Sequence, residues 1–175
     1  MNPLRILTGL LVALLACTSG AHTDEKRLRL ELPDGFEHRT DSAMFPDEVP
    51  PGEVRFVRAA HPSGVEIDAT LALSVPLADS DLPAFTDHFT ANGGRLMPTL
   101  QIDGSKMIVE NDVRMLVVAY RTRSGRYSGM MIFRACAGNL LRVILQAPST
   151  IASEPIVPMG EALLRNVAAV RPEAP

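Results

Sequence analysis

The chain has no tryptophan, two cysteines and two lysines, Lys26 and Lys106. Cys17 sits at the end of an export-like leader, so Cys136 is left with no intramolecular partner and no disulfide framework can staple the fold. Stability must then come from an apolar core. Removing residues 1–16 leaves one domain's length, enough to bury about two-thirds of the unfolded surface. A basic surface is also lacking, because the formal net charge is −3, and this argues against a nucleic-acid partner. Motifs that carry chemistry are missing too. There is no G-x-S-x-G, no H-x-x-x-H pair among His22, His38, His61 and His88, and no glycine pattern for a phosphate. His61 beside Ser63 fits a His-Pro-Ser-Gly turn better than a nucleophile and its base. Methionine is plentiful and raises copper handling, but Met130 and Met131 point to opposite faces of a strand and the others recur at core spacings. The expectation is a protein that is not an enzyme and has neither cofactor nor metal. Cys136, in Met130-Met131-Ile132-Phe133-Arg134-Ala135-Cys136, reads as a small core residue.

The N-terminus carries the clearest signal. Met1 to Arg5 are positively charged, and Ile6 to Ala16 form an uncharged run too short to span a bilayer. Leu14-Leu15-Ala16-Cys17 resembles the lipobox of bacterial lipoproteins, which implies cleavage before Cys17 and acylation of its thiol. Ser19-Gly20-Ala21 offers the ordinary alternative, secretory cleavage that releases a chain starting at His22. Lipidation is favoured because the apolar run stops at Cys17 with no polar spacer. One acyl chain anchors marginally and several anchor firmly. Thr18 stands where the class often carries an inner-membrane retention signal, and so favours the outer membrane. Residues 17–27 then form the lipidated N-terminus and a polar tether whose Thr18–Lys26 stretch reaches about 30 Å when extended, followed by one domain over 28–171.

Leu28-Arg29-Leu30-Glu31-Leu32 alternates as a strand and ends at the turn Pro33-Asp34-Gly35. Residues 36–52, rich in proline and acids, read as a long loop. Glu53–Ala60 and Val65–Val75 form a hairpin about His61-Pro62-Ser63-Gly64, and the second strand is apolar at every odd position. The period changes after Pro76. Asp79-Ser80-Asp81 offers an N-cap, Leu82, Phe85 and Phe89 fall on one helical face, and Gly93-Gly94 predicts the end. Two short strands broken at Asp103-Gly104 are expected over 96–109. Longer strands follow over Val113–Arg123, Arg126–Ala137 and Leu140–Gln146, with two-residue turns at Ser124-Gly125 and Gly138-Asn139. A last helix takes Ser153 as N-cap, with Glu154 and Pro155 in its first turn. Ile156, Met159, Leu163, Val167 and Val170 form its apolar stripe.

The late strands are apolar on both faces. Val113, Met115, Val117, Ala119, Met130, Ile132, Leu141, Val143 and Leu145 share one face, and Leu116, Val118, Tyr120, Met131, Phe133, Leu140 and Ile144 share the other. Such a sheet needs cover on both sides. The fold class is therefore α+β, an antiparallel sheet of six or seven strands with helices on both faces. The same turns place Arg114, Ala135 and Arg142 in one lateral row, with the arginines roughly 10 Å apart. Two guanidinium groups over a small residue could hold a carboxylate or phosphate of a partner. The plainer expectation is that each pairs with an acid of the covering helix or of the 36–52 loop.

Leu30-Glu31-Leu32-Pro33-Asp34-Gly35-Phe36 ahead of a hairpin, a helix, a meander and a closing helix is similar to the PsbP/DcrB/Mog-like group. Leu141-Arg142-Val143-Ile144-Leu145 and Met159 to Val167 also match its late strand and end helix. The resemblance covers residues 28–171 by element order and implies a noncatalytic binding module of the cell envelope, held at the membrane through Cys17 and facing the periplasm. Its partner would be another envelope protein or a ligand. The alternative is an immunity lipoprotein that caps a toxin from a neighbouring cell through Asp41, Asp47, Glu48 and Glu53.

Overall fold

The computed structural model describes residues 28–152 and 156–172. The leader, Cys17, the tether and the Ser153-Glu154-Pro155 cap lie outside these residues. Seven antiparallel strands form the main sheet in the order β2-β3-β4-β8-β7-β6-β5. They are β2 (Glu37–His38), β3 (Glu53–Ala60), β4 (Glu66–Pro76), β5 (Leu100–Glu110), β6 (Val113–Thr122), β7 (Tyr127–Cys136) and β8 (Asn139–Pro148). Helix α1 (Leu82–Leu96) follows β4, and α2 (Ile156–Ala169) follows β8. A separate two-stranded ladder pairs β1 (Leu28–Arg29) with β9 (Arg171–Pro172).

Strands apolar on both sides give two cores. Met115, Ile132, Leu141, Val143 and Leu145 pack with Leu163 and Val167 of α2 on one face. Leu116, Val118, Tyr120, Met131, Phe133 and Leu140 pack with Leu82 and Phe89 of α1 on the other. Phe133 is the contact point of α1, with ring centroids 5.7 Å from Phe85 and 5.3 Å from Phe89. Met130 and Met131 fall on opposite faces, as the alternation requires. The N-terminal segment covers the α2 face with Leu28, Leu30, Leu32 and Phe36. Its alternation is real, but only Leu28 and Arg29 are in a ladder, and the rest is an apolar flap.

Three local expectations are corrected. Gly93-Gly94 does not end α1, which runs on to Leu96. Gly93 is buried, and a Cβ there would come within 3.2 Å of the Phe89 ring, so glycine makes room instead of stopping the helix. The two short strands expected over 96–109 are a single strand, β5, because the ladder absorbs Asp103 as a bulge between Ile102 and Gly104. The second late turn is Ala137-Gly138 and not Gly138-Asn139, since Cys136 pairs with Asn139. Ala137 and Gly138 have φ of 52° and 80°. A two-residue turn with positive φ at both positions strongly favours glycine at the second. The Asn139 side chain donates to the Ala137 carbonyl at 3.2 Å. This slip moves β8 by two residues relative to β7, so every side chain keeps its face and only the lateral partners change.

A buried polar pair spans the sheet. The Tyr120 hydroxyl donates to Gln146 Oε1 at 2.6 Å from two strands away. Gly129 is the residue between them in the row, and without a side chain it leaves the path open. Burial pushes the Tyr120 phenol far above its ordinary value, so it stays a donor.

The left-handed conformation of Ala137 costs an L-residue about 1 kcal/mol. Ala137→Gly should therefore raise the free energy of unfolding by up to about 1 kcal/mol, less the backbone entropy that glycine adds to the unfolded chain. Urea titration with an unchanged m-value would show it. A loss of stability would mean that the turn sits elsewhere.

Candidate functional site

The register change decides the fate of the two arginines expected in one row. Arg142 lies opposite Phe133 on one side and Thr70 on the other, whereas Ala135 lies opposite Leu140. Arg114 and Arg142 therefore do not flank Ala135. Arg114 is exposed beside Val109 of β5. Arg142 donates to Glu53 Oε2 at 2.7 Å, so its acid comes from the first residue of β3 and not from the covering helix or the 36–52 loop, and Arg114 has no ion pair among the described residues.

A different row has the anticipated form. Arg55, Thr70 and Arg142 lie side by side on β3, β4 and β8, with Arg58 opposite Asp68 two rungs away. Two arginines thus flank a small residue, on the face that carries α1. A bulge between Arg55 and Val57 brings Arg55 and Arg58 to this face together. Asp68 is 4% exposed and lies 2.6 Å from Arg55 Nε and 3.7 Å from Arg58 Nε. Burial pushes its carboxyl up, while Arg55, Arg58 and Arg142 pull it down. The Arg55 contact is one of charge with charge, because Arg55 Nε, Arg58 Nε, Arg142 Nε, Asp68 Oδ1 and Thr70 Oγ1 are buried without an aligned hydrogen bond.

Residues 39–52 form a strap over this patch, where neither helix supplies the cover. Arg58 donates to the Pro46 carbonyl at 2.6 Å, the Thr40 carbonyl at 3.1 Å and Asp47 Oδ1 at 2.8 Å. Arg55 donates to the carbonyls of Pro46 and Asp47 at 2.8 and 2.9 Å. The Ser42 hydroxyl donates to Glu66, and it accepts from the backbone N–H of Met44 and Phe45, which fixes the bend. Phe45 is buried yet belongs to neither apolar core. Of the four acids proposed to meet a toxin, Glu53 is engaged by Arg142 and Asp47 by Arg58, while Asp41 and Glu48 are exposed.

Arg134 was missed by sequence reasoning, which saw only a strand position. It is 6% exposed, and its guanidinium donates to the carbonyls of Ala135, Val167 and Ala168 at 2.8–3.0 Å. A cation at a helix C-terminus meets orphan carbonyls and the negative end of the dipole. Arg134 thereby ties the end of α2 to the sheet. Beside it Cys136 is 4% exposed on the face of Met130 and Ile132, as expected, and burial pushes its thiol up against the pull of Arg134 and Arg171. His61 and Ser63 also meet, at 2.8 Å, but Nδ1 of His61 is also held by the Ser63 backbone N–H. The ring lies against Phe36 with centroids 5.3 Å apart. The pair closes its turn. Among the described residues no cluster of three metal-ligating side chains occurs.

Two outcomes are expected. Asp68→Asn leaves buried arginines short of a counter-charge and should cost about 3–5 kcal/mol, whereas Asp47→Asn, whose own carboxylate is 83% exposed, should cost under about 1 kcal/mol; chemical denaturation of both variants checks the contrast. Cys136 should resist thiol reagents in the native protein and react only in denaturant, and rapid native labelling would contradict its burial.

No family model and no curated protein matches the chain. Among solved structures it is similar to the cyanobacterial PsbP (CyanoP) of Synechocystis sp. PCC 6803, at 10% identity and a TM-score of 0.44, over 89% of this chain and 98% of that one. That is a likeness of fold alone.

Proposed function

We propose that this protein is a noncatalytic envelope lipoprotein of the PsbP/DcrB/Mog-like kind, anchored through Cys17 at the outer membrane, facing the periplasm, and presenting the 39–52 strap to another envelope protein or a ligand. One observation carries the reading. A long loop is fixed from beneath by Arg55, Arg58 and Glu66, so that it lies as a preformed surface with Asp41 and Glu48 outward. A loop ordered before encounter loses less entropy on binding, and rigid scaffolds carry binding loops for that reason. The immunity reading draws on the same strap but retains only Asp41 and Glu48 as free-standing acids, a thin charge for capping a basic cleft.

Two measurements test the proposal. Cys17→Ser should abolish labelling by a fatty-acid analogue and move the protein out of the membrane fraction; persistent labelling, or a mature wild-type chain starting at His22, would refute the anchor. A photo-crosslinker at Glu48 should capture a partner from intact envelopes, and one at exposed Arg123, in the turn between β6 and β7, should not. Ser42→Ala, which loosens the strap from Glu66, should reduce the yield at Glu48 several-fold. Equal capture from both sites would remove the strap from the function.

A further inference from the structure

We infer that the corner of the domain built from residues 49–54 and 73–76 rests on the lipid surface; the inference depends on the Cys17 anchor proposed above. Pro50, Pro51, Val54, Leu73, Val75 and Pro76 are all exposed. Val54, Leu73 and Val75 are exposed by 45%, 53% and 38%, which is half of the exposed large hydrophobic residues among those described. They form one surface because the backbone N–H groups of Leu73 and Ser74 both donate to the Gly52 carbonyl, at 2.8 and 3.3 Å. The only charge within the two segments is Glu53, and Arg142 holds it. Contiguous exposed apolar surface of this sort marks a site of contact.

The place where the tether joins the domain selects the occupant. Leu28 pairs with Pro172. Pro172 shares an open cleft of about 450 Å³ with Leu77 and Gly138, and Leu77 follows Pro76 of the patch directly and donates to the Gly138 carbonyl. Tether and patch therefore lie at the same end of the sheet. The eleven residues from Cys17 to Leu28 reach about 36–40 Å at most, and a strand of β8's length spans about 33 Å. The end bearing the 123–126 turn could meet the lipid only with the tether almost fully stretched. The patch meets it at any extension. Having neither lysine nor arginine in these segments, the contact draws on apolar area and not on anionic headgroups, so salt should not weaken it.

The test uses the full acylated chain in vesicles of phosphatidylethanolamine and phosphatidylcholine that carry a headgroup nitroxide. A fluorophore on Ser74→Cys should be quenched several-fold more than one on Ser124→Cys, equally at low and high salt. Leu73→Ser with Val75→Ser, both exposed positions, should bring the Ser74 probe down to the level of the Ser124 probe. Equal quenching of the two probes in a vesicle-bound chain, or stronger quenching at Ser124, overturns the inference alone. A chain that stays out of the vesicle fraction overturns the anchor and the inference together.

Discussion

A sheet that is apolar on both faces has to be covered on both, and two helices are too few to cover seven strands. Helix α1 packs through Phe85 and Phe89 onto Phe133, and α2 packs through Leu163 and Val167 onto the opposite face. The remaining width is closed by the chain between Leu28 and Gly52. Its first part is apolar and joins the α2 core. Its second part is polar and closes the α1 face over β3, β4 and β8 by charge and hydrogen bonding. The architecture is thus held by burial everywhere except over β3, β4 and β8 on the α1 face, where arginines hold it, and that part is the more sensitive to loss of a single group, since an unpaired buried charge costs more than a lost methylene.

Arginine solves two different problems in this fold. Arg55 and Arg58 reach through the strap with planar donor arrays, which serve several carbonyls at once where a lysine would serve fewer. Arg134 answers the orphan carbonyls of α2 with no carboxylate in ion-pair contact among the described residues, so a buried cation meets a helix end. The near absence of lysine noted in the composition therefore has a structural counterpart, at least at these three positions.

The functional reading follows from the same division. The arginines under the α1 face fix a loop in place and leave its acids Asp41 and Glu48 exposed. An exposed apolar corner lies where that loop returns to β3.

Much of this was legible from the sequence because side-chain periodicity reports which face of an element each residue takes. The alternation of Val65 to Val75, the helical spacing of Leu82, Phe85 and Phe89, and the two-faced late strands gave the elements, their faces and the need for cover on both sides. Face assignment survived even the wrong turn at Gly138-Asn139, because the error was an even number of residues. Lateral neighbours did not survive it. Whether Arg142 faces Ala135 or Phe133, and whether Arg55 reaches Asp68, depends on turn register and on a bulge between Arg55 and Val57, which no pattern along one strand encodes. The sequence by itself determined which side chains share a face, because that is a property of each strand alone; it did not determine depth, since Asp68 and Thr70 on the polar face are buried and Leu73 and Val75 on the apolar face are exposed. Only the tertiary structure decided which charges meet, because that is set by how strands slide past one another and by a loop folding back over them.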